Sequence, residues 1–165
     1  MKIGLLSDTH GHLDEQIFNF LEPCDEVWHA GDIGPLEKAY DPLVKKWTVR
    51  AVYGNIDDHK ARSILPEIAG WEMEGKSFLM THIAGKPPRY AKGITELLDR
   101  YQPDVLICGH SHILKIMKDP KRNVLFMNPG AAGIHGFHQV RTLVRFDLKD
   151  GQLSNLEVLE LPRKA

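Results

Sequence analysis

Cysteine is scarce. Cys24 and Cys108 are the only two in 165 residues, too few for a disulfide framework. Each lies in or beside an apolar segment, where a reduced buried thiol is the expected state. An excess of one charge is missing too: 21 basic residues stand against 22 acidic ones, for a formal net charge of −1. No run of like charges occurs, which argues against steering onto nucleic acid or an anionic membrane. Long apolar runs are also absent. The N-terminal "MKIGLLSDTHG" has only a short one before Asp8, too short for a signal-peptide core or a membrane span. These absences lead to the expectation of a cytoplasmic protein with no nucleic-acid or membrane partner, as a monomer or a homo-oligomer. No linker, repeat or low-complexity segment interrupts the chain, so residues 1–165 are read as one domain.

Apolar material is plentiful at 42%, enough for a core, and histidine is unusually frequent at nine residues. The apolar pattern alternates between two periods. "KIGLL" (2–6), "EVWHAG" (26–31) and "TVRAVY" (48–53) read as strands, the last as a buried one. Between them, Leu13, Ile17, Phe20 and Leu21 recur at helical spacing, as do Leu36, Ala39, Tyr40, Leu43, Val44 and Trp47. Pro42 falls inside the second pattern and predicts a kink or a split. "WEMEGKSFLMTH" (71–82) predicts a hairpin turning at "EGK", Ile94 to Tyr101 a helix, and "PDVLICG" (103–109) another buried strand. Strands alternating with helices predict parallel βαβ units. The last third is strand-like throughout: 113–118, 123–128, 139–148 and 152–161, with "DPKRN" and "KDG" as turns. It predicts an antiparallel meander. The sum is an α/β sandwich with sheets inside and helices outside.

In open α/β sheets, ligands bind beyond the carboxyl ends of the strands. Five predicted strands end in chemistry-bearing residues: Asp8 and His10, Asp32, Asn55, His82, and His110 with His112. A lone Asp or Asn after a strand is ordinarily a turn residue or a helix cap, and a lone His a core residue. Five exits imitating ligands together is a different matter. Two carboxylates, one amide and four imidazoles exceed what a single tetrahedral zinc takes. The set suits two divalent ions about 3.5–4 Å apart, as in phosphatases and nucleases. Mixed N and O donors favour Mn, with Zn, Fe or Ni as alternatives, over Ca or Cu(I). An amide oxygen at Asn55 would ligate without adding negative charge.

The blocks "DTH" (8–10), "GD" (31–32), "GN" (54–55), "TH" (81–82) and "GHSH" (109–112), followed by "NPGAAG" (128–133), resemble the calcineurin-like metallophosphoesterase superfamily. The short chain without insertions is similar to its small YfcE-like phosphodiesterase branch. The resemblance implies a four-layer α/β/β/α sandwich of two mixed sheets. It implies that Asp8, His10 and His112 hold a first metal, that Asn55, His82 and His110 hold a second, and that Asp32 bridges them. The implied activity is hydrolysis of a small organic phosphate ester by in-line attack of a metal-bridging hydroxide, with diesters favoured. Where many family members follow "GN" with His, this chain has Ile56, so no protein general acid is assigned.

Further candidates for substrate contact are His12, His135 and His138. His29 is expected in the core or supporting the site, and His59 in an exposed loop. Asp57 and Asp58 are expected to cap the segment after them. "AGKPPR" (84–89) is expected as a surface loop, although Lys86 or Arg89 could reach a phosphate. A protein-interaction scaffold of the retromer-subunit type is the alternative reading. In that branch the first-block His is altered, whereas His10 stands here.

Overall fold

The computed structural model describes residues 1–163. The alternation of strand β1 (Lys2–Leu6) sets up the layers. Ile3 and Leu5 face a core shared with a second sheet. Leu6 faces outward against helix α1 (Glu15–Leu21), where Ile17 and Leu21 are buried. Gly4 lets α1 approach, because a Cβ there would lie 2.4 Å from Leu21 Cδ2.

Strands β2 (Glu26–His29) and β3 (Thr48–Ala51) run parallel to β1. The helical stretch between them is split as predicted. Helix α2 (Leu36–Ala39) stops and α3 (Asp41–Val44) restarts with Pro42 in its first turn, where the missing N–H is not needed. β3 departs from expectation. It is an edge strand, exposed at Thr48 and buried only at Ala51. Helix α4 (His59–Ile64), capped by Asp58, follows it. With Ala61 its only buried residue, α4 has no apolar period to reveal it in the sequence.

Strands β4 (Ile68–Met73) and β5 (Lys76–Thr81) form the predicted hairpin. The expected surface loop after it is a small hairpin of β6 (Gly85–Lys86) and β7 (Arg89–Tyr90). Helix α5 (Ile94–Tyr101) packs Ile94 and Leu98 on the outer residues Leu79, Leu106 and Phe126. The second sheet has the order β4-β5-β8-β10-β9, with β8 (Val105–Ile107), β9 (Leu114–Asp119) and β10 (Val124–Pro129). Here β5, β8 and β10 are parallel.

The predicted meander divides in two. β9 and β10 pair antiparallel in the second sheet. β11 (Val140–Lys149) crosses to the first sheet beside β1, and β12 (Gln152–Pro162) forms its edge. Burial decides the crossing: Val144, Phe146 and Leu148 of β11 complete the core between the sheets. There the Trp28 ring lies 4.9 Å from that of Phe78 and 5.9 Å from that of Phe146. Two five-stranded mixed sheets with helices outside give the predicted α/β/β/α sandwich. Among the described residues no helix is long and apolar enough to cross a membrane.

Candidate metal centre

The loops leaving β1, β2, β3, β5 and β8 meet at one rim. Backbone hydrogen bonds lock them: Asp8 N–H donates to Gly31 O (2.9 Å), His10 N–H to Asp32 O (3.1 Å) and Gly109 N–H to His82 O (3.0 Å). Asp57 does more than the expected cap. Buried, it accepts from the N–H groups of Ile33, Gly34 and Gly54 at 3.2, 2.9 and 2.7 Å, tying the Asp32 loop to the Asn55 loop. His29 is fully buried. Its Nδ1 accepts from Gly31 N–H at 3.1 Å, so its Nε2–H donates to Thr9 Oγ1 at 2.9 Å. Burial pushes its pKa down to about 4, which keeps the ring neutral.

The rim is strained. Asp8, His10, Asp32, His110 and His112 have φ of 55°, 46°, 55°, 72° and 63°. Among the described residues they are five of the ten non-glycine residues with positive φ; the other five lie in turns, at a helix end and in β12. Such backbone costs about 1–3 kcal/mol per residue and gathers at functional sites.

The strain points side chains inward in two trios, Asp8–His10–His112 and Asp32–His82–His110. His112 Nε2 lies 3.2 Å from Asp8 Oδ1, and His82 Nε2 lies 3.1 Å from Asp32 Oδ2. Asp32 Oδ2 also lies 3.6 Å from His10 Nε2, so this carboxylate faces both trios. Asn55, exposed at the rim, brings Oδ1 to 3.0 Å from His110 Nδ1. Two donors on a common ion, each about 2.0–2.2 Å from it, are separated by about 3–3.5 Å. The donor set and its spacing fit divalent cations.

Each donor is aimed by a contact on its far side. His82 Nδ1–H donates to Ala30 O at 2.7 Å, which leaves the Nε2 lone pair facing Asp32. Asp8 Oδ2 accepts from Ser7 Oγ at 2.6 Å and from His110 N–H at 3.1 Å, leaving Oδ1 free. Asp32 Oδ1 accepts from Ile56 N–H at 3.0 Å. Asn128, of the Asn-Pro-Gly turn, braces the loop after β8, donating to Gly109 O at 2.9 Å and Ser111 Oγ at 3.0 Å. Burial works against the charge on Asp32, yet the imidazole of His82 beside it and the N–H of Ile56 hold its carboxyl below the usual range. His82 is the converse: burial opposes its charge, while the adjacent Asp32 and Asp8 carboxylates raise its pKa. At His10 burial wins over the same carboxylates, and its pKa falls.

A cleft of ≈ 420 Å³ opens over the trios, with Ile56 and the exposed His135 and Phe137 on its border. The His135 ring leans over His10 at 4.9 Å. The structure does not bring His12 to this cleft. Its Nε2 lies 3.0 Å from Asp14 Oδ2, in an ion-paired cluster with Arg141. His138 borders the cleft, but both its ring nitrogens are engaged, with His112 and with Gly133 O, which leaves none for substrate.

Residues 1–151 match the calcineurin-like phosphoesterase superfamily domain. The chain belongs to that superfamily. A probable metallophosphoesterase of Mycoplasma pneumoniae is 31% identical over 161 residues, covering 94% of each chain. A phosphodiesterase of Methanocaldococcus jannaschii is 29% identical over 149 residues, covering 79% of this chain and 83% of that one. Wild-type Vps29 of Entamoeba histolytica, solved with Zn²⁺, shares the fold with a TM-score of 0.75. That match is 18% identical and covers 99% of this chain and 100% of the other. As a member of the calcineurin-like superfamily, the protein is a metal-dependent phosphoesterase.

Proposed function

We propose that this phosphoesterase is a binuclear phosphodiesterase acting on small organic phosphates. One observation carries the reading. Asp8 Oδ1, His10 Nε2 and His82 Nε2 are buried without any hydrogen-bond partner, and all three face the centre of the rim. Buried polar atoms left unsatisfied cost about 1–3 kcal/mol each, and cations would relieve that cost. In this reading Asp8, His10 and His112 hold one ion, Asn55, His82 and His110 the other, and Asp32 reaches both. Manganese is the ion proposed, with Zn, Fe and Ni sharing the donor preference. When bound, such ions supply Lewis-acid polarisation of phosphoryl oxygens and acidify a water molecule.

The remaining work falls to the chain. Ala30 O and His138 fix the tautomers of His82 and His112, so both offer a lone pair without rearrangement. The N–H of Ile56 steadies Asp32, while its side chain, 45% exposed, lies on the cleft and donates no proton. A leaving group therefore departs without help from that position, which favours diesters of acidic alcohols. His135 is the rim residue we assign to substrate contact. The alternative, a protein-interaction scaffold, has likeness of fold behind it but no feature of these side chains.

Hydrolysis of bis-p-nitrophenyl phosphate after chelation, with and without restored Mn²⁺, tests the reading. Turnover that requires the ion is expected. No turnover with Mn²⁺ or any other divalent ion would overturn the reading in favour of the scaffold.

A further inference from the structure

Past His110 the cleft continues into a second hollow of ≈ 420 Å³. Lys86 and Arg89 of the β6–β7 hairpin and Lys115 of β9 border it, and Phe126 and Ile113 supply apolar surface. Its lining contains no Asp or Glu. Among the described residues no carboxylate lies within 4.0 Å of these three cations, whereas Arg50, Arg122, Arg141 and Arg145 each meet one.

Lys86 and Arg89 are also directly opposite each other across the antiparallel pair. Like charges in that relation repel and weaken the hairpin. Both side chains are exposed, and among the described residues no carboxylate beside them offsets the repulsion. The hairpin is nonetheless anchored. Ala91 N–H donates to Ala84 O at 2.9 Å, Ala84 is buried with Ile94 and Leu98, and Tyr90 Oη donates to Asp119 Oδ2 at 2.5 Å. Two repelling cations are thus held at the border of a hollow that shares His110, Ser111 and Ile113 with the cleft.

We infer that this hollow is an anion subsite, and that the preferred substrates are phosphodiesters carrying a second phosphate on the arm that extends past His110. The inference rests on the phosphodiesterase reading of the metal centre. Lys86 and Arg89 would take the phosphate from one side and Lys115 from the other, with the apolar surface beneath the body of the arm.

A matched pair of esters tests it: p-nitrophenyl thymidine 5′-phosphate with and without a 3′-phosphate, both assayed with Mn²⁺. The scissile bond is the same in both. The 3′-phosphorylated ester is expected to have a kcat/KM higher by about 10-fold, the scale of a charge-assisted hydrogen bond. That preference should shrink as salt is raised. The Lys86→Gln, Arg89→Gln double variant and, from the opposite wall, Lys115→Gln should each reduce the ratio toward one. Lys149→Gln, a remote surface charge, should not. Equal kcat/KM for the two esters in the wild type would overturn the subsite and leave the phosphodiesterase reading standing. Failure to turn over either ester would overturn both. A preference that survives in the double variant and in Lys115→Gln would place the phosphate elsewhere and overturn the subsite.

Discussion

His112 Nδ1 lies 3.1 Å from His138 Nδ1, and His138 Nε2 lies 2.8 Å from Gly133 O. A carbonyl only accepts, so His138 Nε2 carries a proton. Burial pushes the His138 pKa down, so its Nδ1 is a bare acceptor and His112 Nδ1 must be the donor. The lone pair of His112 is therefore on Nε2, 3.2 Å from Asp8 Oδ1. Gly133 thus sets the tautomer of a ring it does not touch. Removing the relay by His138→Ala should weaken metal binding by about 10–100-fold, the usual effect of losing such a supporting partner. Isothermal titration of chelated protein with Mn²⁺ checks this; unchanged affinity would mean that His112 needs no orienting contact.

Gly109 matters through what it leaves empty. A Cβ there would lie 2.1 Å from Ser7 Oγ and 2.7 Å from Asp8 Oδ2. Gly109→Ala should therefore break the hydrogen bond that orients Asp8 and lower Mn²⁺ affinity, again by about 10–100-fold. Thermal unfolding with and without Mn²⁺ should show a smaller metal-induced rise in Tm than in the wild type.

Ile56 lies on the cleft and has no proton to give. Ile56→His should raise kcat for esters with poor leaving groups, by up to about 100-fold if the ring reaches the leaving oxygen. Bis-p-nitrophenyl phosphate, whose leaving group needs no proton, should change little. A leaving-group series assayed on both proteins reads this out as a flatter dependence in the variant.

His29 makes the fold sensitive to acid. Its folded pKa of about 4 lies below the unfolded 6.5, so the unfolded chain binds the extra proton between those values. The contribution of neutral His29 is complete above about pH 6.5 and is lost as pH falls toward 4. Its size is about 3 kcal/mol at 1.36 kcal/mol per unit. Urea unfolding of chelated protein at pH 7 and pH 5 should show lower stability at pH 5. His29→Gln, which keeps one donor and one acceptor, should flatten that slope.

Much of this was legible in the residues. Short apolar runs gave β1, β2, β5 and β8, and Pro42 gave the break between α2 and α3, because those signals are local. The residues brought together at the rim were those at predicted strand exits, since parallel strands deliver their ends to one side of a sheet. What escaped was non-local or too short. No local pattern says that β11 leaves the second sheet for the first; only the fit of Val144, Phe146 and Leu148 into the shared core does. The β6–β7 hairpin has two residues per strand, below the reach of periodicity. His138 looked like a substrate contact because its partner, His112, lies 26 residues away. Asp57 reads as a cap in the sequence because two of its three backbone donors, Ile33 and Gly34, lie on another loop more than twenty residues away.

Metal stoichiometry tests the bridged pair most directly. Chelated protein is loaded with Mn²⁺, passed through a desalting column and analysed for metal per chain. The wild type should retain about two ions and Asp32→Ala about one or fewer, because Asp32 Oδ2 lies 3.1 Å from His82 of one trio and 3.6 Å from His10 of the other. A single ion in the saturated wild type, or two retained equally well without Asp32, would contradict the binuclear centre.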